Sequence, residues 1–176
     1  GSIQAAVTPA LSGGIYTNNE KKAWRSVSIF INITASVMLL AVVVGLVVIP
    51  FLIPLVSGDK SEQTVQLAVS VSRMLFPQVF FMMLAALSIG VLNAYKKFTA
   101  ASIGPVFYNI CVIIAMLAFG NGTSSGVVKV AAGISISAIL YFLLQFWFSR
   151  KEFQNYRFSF NYKDKEFKRL LFIAIP

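Results

Sequence analysis

Four apolar runs, each long enough to cross a bilayer and each parted from the next by a short polar loop, constrain this chain more than any other feature. They run from about Val27 to Val56, Leu67 to Tyr95, Ala101 to Gly120 and Val127 to Phe148. About 20 helical residues bridge the hydrocarbon layer, so every run suffices. Lipid offers no partner to an unpaired backbone N–H or C=O, and four spans cannot close a barrel, so the runs must be helices. The first two are longer than needed, which predicts tilting or projection beyond the hydrocarbon. Composition agrees: 57% of residues are hydrophobic and 12% charged, against about 25% charged in a soluble domain. A soluble fold would have no polar surface to wrap around this much apolar sequence. The fold class is all-α integral membrane, with four complete transmembrane helices.

The loops at Ser57–Thr64, Lys96–Thr99 and Asn121–Gly126 are short, which forces antiparallel neighbours. Gly58-Asp59 and Gly120-Asn121-Gly122 supply turn chemistry. Sidedness follows from the basic residues. Lys21, Lys22, Arg25, Lys96, Lys97 and the seven basic residues between Arg150 and Arg169 fall on one side. Lys60 and Lys129 fall on the other, and Arg73 lies inside the second run. Twelve against two is a positive-inside pattern that alternates loop by loop and makes the basic loops cytoplasmic. Trp24 and Phe146-Trp147-Phe148 stand where an aromatic belt is anticipated.

Outside the spans, residues 1–11 read as the tail of a preceding helix and residues 170–176 as the start of another, so the chain reads as the middle of a longer protein. Between them, residues 150–169 form a cytoplasmic interfacial segment. Tyr156 to Tyr162 alternates aromatic and polar residues, as an extended stretch along a surface would. Asp164 is placed to cap a helix containing Lys165, Phe167 and Leu170.

Several function classes are disfavoured. All six carboxylates lie outside the spans, none is paired with a base, and there is no histidine for acid–base work. Cys111 stands alone within an apolar run and reads as a small buried hydrophobe. No glycine-rich phosphate loop or metal-ligand pattern is present, so neither a cofactor nor a metal is implied. The net charge of +9 flanks apolar spans, which suits anionic membrane lipids and not nucleic acid. Transport, channel or scaffold roles remain, and an enzyme does not.

Polar residues within or at the ends of spans then carry the interest, because each must be satisfied by a neighbouring helix or face water. Asn32, Asn93, Asn109 and Gln145 are of this kind. Arg73 is the sharpest, as a charge either on a hydrophilic pathway or snorkelling to the outer headgroups. Pro50, Pro54, Pro77 and Pro105 can each kink a helix. The small face of the fourth run, Ala131 to Ala138, signals close helix packing.

Three stretches are more specific: Arg73-Met74-Leu75-Phe76-Pro77, Gly90-Val91-Leu92-Asn93-Ala94-Tyr95-Lys96-Lys97-Phe98 and Gly104-Pro105-Val106-Phe107-Tyr108-Asn109. With Leu84-Ala85-Ala86-Leu87 they closely resemble the MurJ/MviN family, the lipid II flippases of bacterial peptidoglycan synthesis. Ile3-Gln4-Ala5-Ala6-Val7-Thr8-Pro9 is similar to the family's motif at the end of its second helix, with Val7-Thr8 where Phe-Val is usual. The resemblance covers essentially the whole chain. It implies a fourteen-helix, two-lobe fold of the multidrug/oligosaccharidyl-lipid/polysaccharide exporter type in the bacterial inner membrane. Residues 1–176 would be most of the N-terminal lobe, from the end of helix 2 to the start of helix 7. The implied partners are lipid II, membrane lipids and the remainder of the parent protein. The family's essential arginines fall before Gly1 or after Pro176, so none carries over. On this chain the resemblance and the polar residues together point to Gln4, Arg73, Asn93, Lys96, Lys97 and Asn109 along a substrate pathway. For Gln4 and the asparagines, interhelical hydrogen bonding is the competing role. The alternatives are a polysaccharide-lipid or drug exporter of the same superfamily and a membrane scaffold without transport of its own.

Overall fold

The computed structural model describes residues 2–58 and 60–175. Seven α-helices follow one another: α1 Ser2–Tyr16, α2 Glu20–Val56, α3 Glu62–Leu75, α4 Gln78–Ala94, α5 Phe98–Phe119, α6 Ser124–Ser149 and α7 Lys165–Ala174, with a 3-10 turn at Glu152–Asn155. The described residues contain no strand. Four spans are long and apolar enough to cross a membrane: α2, α3 with α4 as one span Glu62–Ala94, α5 and α6. Observed helices begin three to seven residues before the apolar runs. The polar starts, such as Glu20 to Ser26, are helical but outside the hydrocarbon stretch.

The ends differ from the apolar runs in the same way. The first helix does not stop at Leu11 but continues through Ser12 and Gly13 to Tyr16. The last begins at Lys165, where the Asp164 carboxylate accepts the Phe167 N–H at 3.0 Å; this is the anticipated N-cap. In the turns, Gly58 and Gly122 adopt φ of +60° and +78°, which a Cβ would disfavour. Asp59, Gly1 and Pro176, which the sequence reading also used, lie outside the described residues.

Helix α4 is the hub. It packs against α1 on one side and α6 on the other, with α2 and α5 also in contact. One core joins α1, α2, α4 and α7 around Leu11, Trp24, Phe30, Val91 and Phe167. A second joins α4, α5 and α6 around Ile89, Leu92 and Tyr141. Small residues set the close approaches. A Cβ on Gly90 would come 3.2 Å from Val7 of α1, and one on Gly133 would come 2.7 Å from the Ala115 Cβ.

The 37 residues of α2 span about 56 Å at 1.5 Å per residue, far more than the ~30 Å hydrocarbon layer. Its first turns are therefore free to pack at one end of the bundle, and the segment after α6 folds back over them. Asn32 donates to the Ser159 carbonyl (2.8 Å) and accepts from the Tyr156 hydroxyl, Ser28 accepts the Arg157 N–H (2.9 Å), and Ser26 donates to Asp164 (3.3 Å). This strap runs from residue 156 to residue 161 without regular structure. It corrects the aromatic-belt reading of Trp24, which is fully buried. The Trp24 indole donates to the Tyr95 hydroxyl at 2.9 Å, and its ring stands edge-on to Phe153.

Candidate functional site

The second and third spans each carry a proline that removes a backbone donor, and side chains of α6 meet the backbone near both. The second span is not one helix. Pro77 has no N–H to bond the Arg73 carbonyl, so α3 ends at Leu75 and α4 starts at Gln78. In lipid the carbonyls freed in this way need other donors, and the Ser135 hydroxyl of α6 donates to the Met74 carbonyl. The Phe76 ring at the break lies over Gly45 of α2, where any Cβ would clash at 2.2 Å. The third span carries Pro105 inside an unbroken α5. There the fully buried Gln145 amide of α6 lies against the preceding turn. Oriented to satisfy both of its ends, it donates to the Ala100 carbonyl at 3.3 Å and accepts the Gly104 N–H at 2.9 Å. Gln145 thus has the interhelical role anticipated for polar residues in spans.

The break divides the second span into unlike halves. Helix α4 buries nine residues and α3 none. On α3, Gln63, Gln66, Ser70 and Arg73 are exposed. Their spacing of three, four and three puts them on one helix face. One face of the spanning part of α2 shows the contrast: Leu40, Val44, Val47, Phe51 and Leu55 are exposed there, and all five are apolar. Arg73 stands about 17 Å along the axis from Glu62. A 30 Å slab centred on the 33-residue span Glu62–Ala94 would leave about 10 Å of helix on each side. Ser70 and Arg73 then fall at hydrocarbon depth, with Gln63 and Gln66 at the outer headgroups. A guanidinium and a hydroxyl at that depth are costly against lipid tails and are suited to a watery path, and the two amides continue their face to the outer headgroups.

The other singled-out residues are not gathered into one pocket. Asn109 is exposed near the middle of α5, beside Tyr108, whose hydroxyl donates to the Gln78 side chain at 3.1 Å. Gln4 is half-buried on α1, with its backbone facing Gly90 of α4. Beside it, Thr8 donates to the Gly90 carbonyl at 3.0 Å, so this stretch serves helix packing. Asn93 is half-buried in the last turn of α4. Lys96 is exposed in the following turn with φ of +60°. Lys97 pairs with Glu152 of the 3-10 turn.

That pair belongs to a polar cluster at the basic end of the bundle. Glu20 accepts from the Tyr95 hydroxyl and from Asn155 Nδ2 (3.2 Å), and Tyr95 accepts from Trp24. Glu152 is 8% exposed, and its Oε2 has no hydrogen-bond partner, so Lys97 is what offsets a buried charge. The cluster fastens three segments together: the start of α2, the α4–α5 turn and the segment after α6. Sequence reading missed Glu20 and Glu152, because their partners lie 75 and 55 positions away along the chain. It also missed the α3 face, although the three-four-three spacing of its polar residues was a readable signal.

Comparison with known proteins places the chain. The family model described as "Lipid II flippase MurJ" matches residues 1–176. The protein named "Lipid II flippase MurJ" of Burkholderia cenocepacia is 34% identical over 90 residues, covering 51% of this chain and 17% of that protein. "Probable lipid II flippase MurJ" of Rickettsia prowazekii is 32% identical over 110 residues, 62% of this chain and 22% of its own length. Its namesake in Rhizobium tropici is 26% identical across 100% of this chain and 34% of that protein. The chain therefore spans about a fifth to a third of the length of these relatives. No solved structure matches. With matching all-α architecture and a family model that covers every residue, the chain belongs to the lipid II flippase MurJ family.

Proposed function

We propose that this chain is most of the N-terminal lobe of a lipid II flippase in the bacterial cytoplasmic membrane, and that the exposed face of α3 lines the path of the lipid headgroup. The observation that carries this reading is the row Gln63, Gln66, Ser70 and Arg73, outward-facing on a membrane-spanning segment. A flipping lipid must take a pyrophosphate and sugars through hydrocarbon, where unpaired polar groups cost several kcal/mol each, on the order of 2–7 for a neutral one. A guanidinium and neighbouring amides offer charge-assisted hydrogen bonds that lower this barrier. The basic end would face the cytoplasm. Asn93 and Lys96 would then stand at the inner mouth, with Asn109 midway along the path. Lys97 takes a supporting part through Glu152, and Gln4 a packing part. The remainder of the parent protein supplies the second lobe, and transport proceeds with no catalytic step in this chain.

The test is reconstitution of the parent protein into vesicles with fluorescent lipid II, scoring headgroups that become accessible outside. Arg73→Leu is expected to slow flipping at least tenfold, and Gln63→Leu with Gln66→Leu severalfold, with thermal stability unchanged because α3 buries none of these side chains. Wild-type flipping by Arg73→Leu would overturn the assignment of this face.

A further inference from the structure

Helices α2 and α6 both flank α4, leaving a crevice between them of about 300 Å³. Leu84, Leu87 and Ser88 of α4 form its floor, Ile31 and Phe142 its walls, and Phe146 its rim; Phe146 is 40% exposed, so the crevice opens sideways. Phe153 and Tyr156 close it toward the basic end. The two hydroxyls present are already engaged: Ser88 donates to the Leu84 carbonyl at 3.2 Å, and Tyr156 donates to Asn32. A space without free polar partners does not hold water. At ~30 Å³ per water-sized group it accommodates about ten such groups, a length of alkyl chain.

An alkyl chain leaving the bilayer for this crevice gains little hydrophobic energy, because lipid tails are as apolar as its lining. Selection must come from the headgroup. Arg157 directly follows Tyr156, and Arg150 and Lys151 precede Phe153. Among the described residues none of the three pairs with a carboxylate. Glu152, which stands between them, is already engaged by Lys97. Arg150 lies over the Trp147 ring at 4.1 Å, which holds its guanidinium at the bundle edge. Three cations without a carboxylate partner, flanking in sequence the Phe153 and Tyr156 that close a dry apolar slot, suit an anionic headgroup with a chain attached.

We propose that the α2–α6 crevice binds one acyl chain of an anionic glycerophospholipid, whose phosphate is met by Arg150, Lys151 and Arg157. The site is separate from the α3 face and does not depend on the flippase reading. Each basic residue near an anionic headgroup is worth roughly fivefold in affinity.

Native mass spectrometry of the full chain, purified with phosphatidylglycerol and phosphatidylcholine in equal amounts, tests it. Phosphatidylglycerol should be retained at least tenfold over phosphatidylcholine. Arg150→Gln with Lys151→Gln and Arg157→Gln should bring the preference to within a fewfold, and Ser88→Phe should abolish retention of both. A second readout leaves the crevice lining unchanged and keeps an aromatic ring beneath Arg150. With Trp147→Phe, Trp24 is the one tryptophan of the chain, can be excited selectively over tyrosine, and its ring lies 5.4 Å from Phe153. Phosphatidylglycerol brominated on its acyl chain should quench Trp24 by at least half, and the phosphatidylcholine counterpart should not. Equal retention of the two lipids, or no quenching, overturns the proposal. Displacement of phosphatidylglycerol by equimolar polyprenyl phosphate also overturns it, by making the occupant a carrier lipid.

Discussion

Replacing Gly104 by alanine puts a methyl group where the Gln145 amide already is. The added Cβ would stand 1.4 Å from the end of the Gln145 amide that accepts the Gly104 N–H, and 2.7 Å from the Tyr141 ring. Gln145 is fully buried, so its amide cannot swing into solvent and must give up its bonds to the Ala100 carbonyl and the Gly104 N–H. Interhelical bonds of this kind contribute about 0.6 kcal/mol each in membranes, and a buried amide left unpaired costs about 1–3 kcal/mol more. Overpacking of the Tyr141 ring adds about 1 kcal/mol. Gly104→Ala should therefore destabilise the lobe by about 3–5 kcal/mol. Gln145→Ala removes the same two bonds and leaves a hole, for about 2 kcal/mol. In the double variant the methyl occupies part of that hole, so the sum is not reached. The loss should fall at least 1 kcal/mol short of additivity, well outside the ~0.5 kcal/mol expected of independent sites. Reversible unfolding in mixed detergent micelles, followed by far-ultraviolet circular dichroism, measures all three variants. Additivity within ~0.5 kcal/mol would refute the claim that Gly104 is glycine to admit the Gln145 amide.

Three further outcomes follow from the same reasoning. Ser135→Ala removes the donor to the Met74 carbonyl and should cost about 1 kcal/mol, while Ser137→Ala, whose hydroxyl bonds only within its own helix, should cost less than ~0.5 kcal/mol; equal losses in thermal unfolding would contradict the role given to the break. Asn32→Ala removes both side-chain bonds to the strap. It should cost about 1–3 kcal/mol and accelerate hydrogen exchange at the Arg157 amide, and an unchanged exchange rate there would refute the tether. Lys97→Met leaves the Glu152 carboxylate buried without its cation and should destabilise more than Lys97→Met combined with Glu152→Gln. Because Lys97 is 41% exposed, solvent screening limits the difference to about 1 kcal/mol, and a double variant less stable than the single one would contradict it.

The spans were legible because hydrocarbon thickness sets a length that any apolar run can be measured against, and the Asp164 cap because its partner is three residues away. What escaped was of two kinds. Trp24 reads as an interfacial aromatic until the strap covers it, and the strap's hold depends on Ser28 and Asn32, more than a hundred residues earlier. No local pattern announces that contact. The α3 face escaped for a different reason: the apolar run begins at Leu67, which leaves Gln63 and Gln66 outside the span and Arg73 alone in it. Extending the helix back to Glu62 turns one isolated charge into a row of four polar groups.

The positions of the polar side chains also divide the lobe mechanically. Around α4, side chains from distant segments tie the helices and turns together: Thr8 on the Gly90 carbonyl, Trp24 on Tyr95, and Lys97 on Glu152. A rearrangement in this half would have to break several buried bonds together, so it is built to move as one body. Helix α3 has no buried residue, and its junction to α4 lacks the hydrogen bond that Pro77 cannot make. Among the described residues, the one side-chain hydrogen bond from another helix to α3 at the junction is that of the Ser135 hydroxyl on the Met74 carbonyl. Local opening follows the density of buried contacts, so the lobe yields first at Phe76 and Pro77. The row from Gln63 to Arg73 therefore sits on the part of the span that can change its angle without disturbing the core, as the proposed headgroup path requires.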